Sequence, residues 1–403
     1  MNSWKRIVYT MAAIQMGTGI TIIGVVSFIP LFLTSELGVT DPGDAAFWSG
    51  LISGATPLFV ALVAPFWSLQ ADKWGQKRVL AVLLAILMIA TFANAFAQSP
   101  FEVLFYRVLQ GLSGGFVAIA MSLVMNATPR EHLPRALGIF QASFVSGVMF
   151  GPLLGGLAAD HLGYRMPFVV FAALTALCLA ATLLLIPRRV GPHRQGPQES
   201  FMSRARRFMG NPVVVLMILL QFLCNAGMTG IGPILPLYIK EMMGSGAEAV
   251  ATTVGIIIFA AGGVSCCASL SVQRFTSRFP MPFILICASA VTAVNFILQY
   301  LMPTVLTLGI MRALAGLSLG LILPVSNTVL ASSVPPAQRT ILMGFATSFA
   351  LLGNVFGPVA SGWIAMHFGY ATVFWSTAAC FFAASFLIYK KRQVILDDLL
   401  DRK

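Results

Sequence analysis

The chain has 403 residues, of which 58% are apolar and only 9% charged, with a net charge of +12. Soluble domains carry about 25% charged residues to cover their surface, so this composition argues against a soluble enzyme, a disordered chain or a nucleic-acid-binding protein.

A helix needs ~20 apolar residues to cross ~30 Å of hydrocarbon. Long runs with few charges occur at roughly 8–34, 46–69, 79–98, 101–126, 136–160, 165–187, 213–239, 249–273, 281–300, 303–331, 341–366 and 371–389. Lys5 and Arg6 precede the first run, which at about 27 residues is too long for a signal-peptide core and reads as a span. Alternating strand patterns are absent, which speaks against a membrane barrel. Most connections are short. The exception, 188–212, separates a bundle over 1–187 from a second bundle with a short tail over 213–403. The expected fold is all-α and integral to the membrane, with twelve transmembrane helices in two six-helix bundles.

Placing both termini in the cytoplasm puts 21 of the 25 Lys and Arg in inner segments. Arg165 and Lys240 then lie outside, and Arg107 and Arg312 lie within spans. That bias fixes a topology with both termini inside. It also accounts for the +12, because the cations, including those of Arg204–Arg207, face anionic lipid headgroups. All six cysteines fall in expected spans, so no disulfide framework is expected, and the four histidines show no metal-ligand spacing.

The halves match at an offset of 206 residues. Gln15 pairs with Gln221, Gly24 with Gly230, Gly147 with Gly353, Gly151 with Gly357, Pro152 with Pro358 and Gly163 with Gly369. An even number of spans per half gives both halves the same orientation, a parallel repeat.

Three segments carry further information. In the fifth span, Gly138, Gly147, Gly151, Pro152, Gly155 and Gly156 form a glycine-rich run, with Gly147, Gly151 and Gly155 on one helix face. Small residues at this spacing let another backbone approach closely. The face serves either as packing alone or also as a sliding surface between the halves. Gly353 and Gly357, with Pro358, repeat it. After the second span comes Asp72-Lys73-Trp74-Gly75-Gln76-Lys77-Arg78, a lone carboxylate among cations. It is either a topology-setting loop or a site where Asp72 pairs with a cation or a helix end. In the fourth span, Arg107 precedes Gln110 and Gly111. A cation at that depth costs about 2.5–3.5 kcal/mol and marks a functional position or a hydrogen-bonded structural one. Glu102 lies ~140° around the helix, so a counter-charge for Arg107 has to come from another span or from substrate. Arg312 is its approximate repeat.

These segments resemble the major facilitator superfamily, specifically its drug/proton antiporter exporters, and the likeness covers all twelve spans. The fifth-span run matches the antiporter signature throughout. The Asp72 loop matches the family's cytoplasmic motif in part, with Ser68 and Gln76 departing from it. The resemblance implies that Asp72, Gly75, Lys77 and Arg78 lock one conformation. It links Arg107, with Gln110 and Gly111, to proton transfer, and it implies a binding site reached alternately from each side. It nominates Gln15, Thr18, Thr21, Ser113, Gln221, Asn225 and Met228 as cavity residues. The function it implies is export of small amphipathic or hydrophobic compounds by proton antiport from the inner membrane. The protein would be a monomer among lipids, with no enzymatic activity, cofactor, metal or nucleic-acid partner. All 13 carboxylates fall outside span centres, and the first span reads Gln15-Met16-Gly17-Thr18-Gly19-Ile20-Thr21. A specific metabolite transporter of the same fold therefore stays open, as does, more remotely, a membrane sensor.

Overall fold

The computed structural model describes residues 3–187, 208–244, 246 and 248–400. The expected linker cations Arg188 to Arg207 lie outside the described residues. Helix α1 (Ser3–Ile23) continues through a 3-10 turn, Gly24–Ser27, into α2 (Ile29–Ser35). Then come α3 (Pro42–Trp74), α4 (Gln76–Asn94), α5 (Pro100–Gly111), α6 (Phe116–Ala127), α7 (Leu133–Leu162) and α8 (Met166–Leu185). The second series is α9 (Pro212–Gly230), α10 (Leu235–Met243), α11 (Val250–Leu270), the short α12 (Val272–Thr276), α13 (Met281–Leu301), α14 (Val305–Ser332) and α15 (Pro336–Leu400). No strand occurs among the described residues.

Eleven helical segments are long and apolar enough to cross a membrane. The last, Leu342–Leu396, has 55 residues and would measure ~80 Å as one rod. Gly369, at φ 77°, breaks it into two spans, which completes twelve. Its counterpart Gly163 turns the chain at φ 87° between α7 and α8, so the repeat recurs in backbone conformation.

The chain forms two compact units. One comprises Met1–Gly196 and Ser245–Ile256, the other Pro197–Gly244 and Ile257–Lys403. In the first, Met11 and Ile14 of α1 pack with Leu80, Leu83 and Leu84 of α4, Ile119 and Leu123 of α6, and Phe140 of α7. Leu69, Leu177 and Leu184 are 63%, 68% and 80% exposed. Exposure of leucines on this scale suits a hydrocarbon surround rather than water.

Polar residues set the helix starts. Asp41 accepts from the Asp44 amide before α3, and Ser99 accepts from the Glu102 amide before α5. A Thr304–Thr307 capping box opens α14. The sequence reads the fourth span as continuous over 101–126, but the structure divides it. The chain unwinds after Gly111, and Gly115 at φ 101° restarts it as α6. The Trp67 indole N–H donates to the Leu112 carbonyl at 2.7 Å, satisfying a group that the break releases. The final helix also runs beyond the expected end at 389, to Leu400.

Candidate functional site

Arg107 lies one turn before the break, where α5 packs on α3 and α4. It is buried, and its NH1 donates to Gln110 Oε1 on the same helix at 2.9 Å. The Gln110 amide then donates to Thr91 Oγ1 of α4 at 2.8 Å. Thr56 of α3 donates to the Arg107 carbonyl. Gly111 seats the same helix on α3, since a Cβ there would lie 2.6 Å from Phe59 Cβ. Arg107 Nε has no partner among the described residues. The counter-charge sought from another span is thus replaced by a neutral amide one turn away.

The second unit solves the same problem differently. Arg312 of α14 donates to Gln299 Oε1 of α13 at 3.3 Å and lies 5.8 Å from the Phe296 ring centroid. Gln299 in turn donates to Asn295 Oδ1 at 2.5 Å. Gln299 and Asn295 were not singled out in the sequence. Their signal was four-residue spacing, which puts both amides on one helix face.

The cavity candidates separate on inspection. Gln221 of α9 donates to Asn327 Oδ1 at 2.8 Å and Ser326 Oγ at 3.2 Å, both on α14. Gln15, its repeat, is fully buried, and neither of its amide atoms has a partner among the described residues. Thr18 bonds back to the Gln15 carbonyl, Ser113 to the Gln110 carbonyl, and Asn225 to the Gln221 carbonyl. Met228 is exposed. Thr21 meets Thr175 Oγ1 of α8 at 3.0 Å, joining two helices of one bundle.

The glycines of α7 fall in two rows. A Cβ at Gly147 would lie 2.6 Å from the Met16 carbonyl, and one at Gly151 3.0 Å from the Gly24 amide. Gly155 meets the Gly24 carbonyl even more closely. This row therefore seats α7 on α1 and its following turn, a contact inside one bundle. The repeat preserves it: Gly353 and Gly357 of α15 meet Phe222 and Ala226 of α9. Pro152 and Gly156 lie on the adjacent row, against residues 251–255. Gly138 has nothing near its Cβ position, so it belongs to neither row. Pro358, like Pro152, is buried inside its helix.

In the loop between α3 and α4, Gly75 turns the chain at φ 88°. Asp72 and Arg78 are exposed, and Asp72 has no hydrogen bond or ion pair among the described residues. Lys77 donates to the carbonyls of Leu183 at 2.7 Å and Ile186 at 2.5 Å, closing the end of α8. Gln76, the residue that departs from the family pattern, reaches Ser122 of α6 at 2.8 Å.

At the other end of this unit, Arg165 pairs with Glu36 at 3.2 Å and donates to the carbonyls of Ala95 and Ala97. Burial, then Asp160 and Glu36, push the nearby Tyr164 phenol above its usual range, while a hydrogen bond with Ser35 opposes them. Cys178 and Cys224 are buried, whereas Cys266, Cys267, Cys287 and Cys380 lie on helix surfaces, and all six are free. Among the described residues no group of His, Cys, Asp or Glu is placed to hold a metal ion.

Comparison with known proteins identifies this architecture. The family model described as Major Facilitator Superfamily matches residues 10–309 and 283–396. The chain belongs to the major facilitator superfamily. Superfamily relatives include the multidrug resistance protein MdtG of Rahnella sp. (strain Y9602), 32% identical over 379 residues, covering 93% of this chain and 91% of the relative. The protein of that name from Escherichia fergusonii is 33% identical over 380 residues, covering 93% and 92%. Among solved superfamily-like folds, a bacterial homologue of the human lysosomal transporter Spinster aligns with TM-score 0.82 at 17% identity, covering 99% of this chain and 98% of that one. The nucleoside transporter NupG aligns with TM-score 0.75 at 16% identity, covering 97% and 99%. The superfamily places this chain among multi-pass membrane transporters and apart from enzymes.

Proposed function

We propose that this protein exports small amphipathic or hydrophobic compounds, a multidrug efflux role, by alternating access coupled to proton antiport. It would work as a monomer in the bacterial inner membrane, with both termini in the cytoplasm and lipid against its apolar helix faces. The observation that carries this reading is end-to-end similarity to relatives named multidrug resistance proteins. The complete fifth-span glycine run supports it, as does the 21-to-2 cation bias. In this reading Gln15 and Gln221 contact substrate, Arg107 serves the proton, and the Asp72 loop with Gly75, Lys77 and Arg78 governs the change of state. Gln15, with two unbonded amide atoms, is the strongest of the substrate contacts.

The acid-free first span favours a second reading, a specific metabolite transporter of the same fold. Efflux of a fluorescent dye from proteoliposomes, with and without a proton gradient, separates the two. Gradient-stimulated dye efflux supports the exporter. Absence of dye movement beside saturable exchange of one metabolite would support the alternative.

A further inference from the structure

The start of α11 is poorly capped by its own sequence. Its first intrahelical bond runs from the Thr253 amide to the Ala249 carbonyl at 3.0 Å, which makes Ala249 the N-cap. Alanine has no side-chain acceptor for the free amides of the first turn. Ala249 also holds φ 58°, a backbone region that non-glycine residues rarely enter.

The missing acceptor comes from another helix. Asp160, near the end of α7, accepts from the Thr252 amide at 2.6 Å through Oδ2 and from the Ala251 amide at 3.3 Å through Oδ1. Both contacts lie within the first unit, which includes Ser245–Ile256. Pro152, Gly156 and Asp160 are spaced four apart, on one face of α7. A Cβ at Gly156 would run into the Ala251 carbonyl, and one at Gly255 would lie 2.5 Å from the Pro152 carbonyl. The backbones therefore touch over two turns, and the carboxylate closes the end of that contact. Thr252 Oγ1 is shielded from solvent there and has no partner of its own.

We propose that Asp160 is a latch: its carboxylate caps α11 in trans and holds Val250–Ile256 against α7. Close backbone packing between glycines supplies shape but little holding force, because lipid gives no hydrophobic drive. The charge supplies the hold, since a carboxylate at a helix N-terminus makes strong, charge-assisted hydrogen bonds to the free amides. Loss of that charge frees the start of α11 to move off α7 while the rest of the helix stays intact. Two neighbouring groups at this end have partners of their own. Glu36 pairs with Arg165, and Tyr164 bonds Ser35.

The test reads the latch without any substrate. In a background with the six native cysteines replaced, Thr252→Cys is labelled with a membrane-impermeant maleimide in proteoliposomes. With Asp160 intact, labelling is slow. Asp160→Ala raises the rate about tenfold and Asp160→Asn about threefold, in proportion to the hydrogen bonds and charge removed. Asp160→Glu stays near the parent. Glu36→Gln, which removes a nearby charge that does not touch α11, also stays near the parent. Parent-like labelling of Asp160→Ala overturns the latch. So does Glu36→Gln labelling as fast as Asp160→Ala, because general loosening of that end would then explain both. If Asp160→Ala fails to fold, Asp160→Asn keeps the side-chain shape, and its unchanged rate is equally decisive.

Discussion

The two repeats place glycines alike and polar groups differently. Gly24 against Gly151 in the first unit recurs as Gly230 against Gly357 in the second, backbone on backbone in both. The two membrane-depth arginines, by contrast, take amides from different places, Gln110 on the same helix and Gln299 on a neighbour. The Gln221 side chain is bonded across to α14, while the Gln15 side-chain amide has no partner among the described residues. Steric fit tolerates almost no change, because a single Cβ would collide. Hydrogen-bonding duties can migrate to any residue that reaches the same point. The duplicated halves thus share their glycine packing and differ in their polar contacts.

The largest expected effects test the shared packing. Gly151→Leu and Gly357→Leu should each cost more than the ~1–3 kcal/mol typical of overpacking, because backbone rather than a side chain must move. Both should reduce the yield of monodisperse protein severely and by similar amounts. A normal yield for one variant alone would show that the duplicated contact is not equivalent in the two units.

The arginines come next. Arg107→Ala should abolish gradient-driven efflux while retaining part of the gradient-free exchange, whereas Arg312→Ala should mainly lower thermal stability. Gln110→Leu, which strands the buried guanidinium, should cost about 1–3 kcal/mol or more of stability. Equal loss of driven and undriven transport in Arg107→Ala would make its role structural, like that of Arg312.

The glutamines should respond with opposite sign. Gln221→Leu leaves Ser326 and Asn327 without their donor and should destabilise by about 1–2 kcal/mol. Gln15→Leu removes an unbonded buried amide and should leave the melting temperature unchanged or raise it, while weakening dye binding. Parallel destabilisation in thermal melts would mean that Gln15 has a partner after all.

The smallest effect on stability belongs to Asp72→Asn, within about 0.5 kcal/mol, since exposed residues without partners contribute little. Its repeat position holds Arg278, so no second copy can compensate. Single-molecule exchange rates should shift although the melt does not. Unchanged rates would remove Asp72 from the conformational machinery.

Much of this fold was legible in the sequence because membrane spans obey simple arithmetic. The low charge content, the runs of apolar residues and the 206-residue offset gave twelve spans, and Gly369 divides the last helix at the expected place. The break at Leu112–Gly115 carries no charge or proline, and its one local mark is the Gly114-Gly115 pair, a residue type that membrane helices also tolerate. The Trp67 indole, 45 positions away, and the Ser113 hydroxyl take up carbonyls at the break. The glycine row was visible, but its partner was not, since spacing defines a face without saying which helix covers it. In the sequence Asp160 is one of 13 carboxylates that fall outside span centres. That it caps a helix nearly a hundred residues on depends on how α7 and α11 meet, which no local pattern encodes.

The Arg165 anchor has a proteolytic consequence. The connections 36–41, 95–99, 163–165, 244–249 and 302–304 lie on the side that the cation bias assigns to the exterior, and none exceeds six residues. Arg165 is the one basic residue among them. Trypsin needs an extended strand and a free basic side chain in its specificity pocket, yet this guanidinium is tied to Glu36 and to two backbone carbonyls. Cut from that side, the chain offers trypsin no accessible bond in any of these five turns.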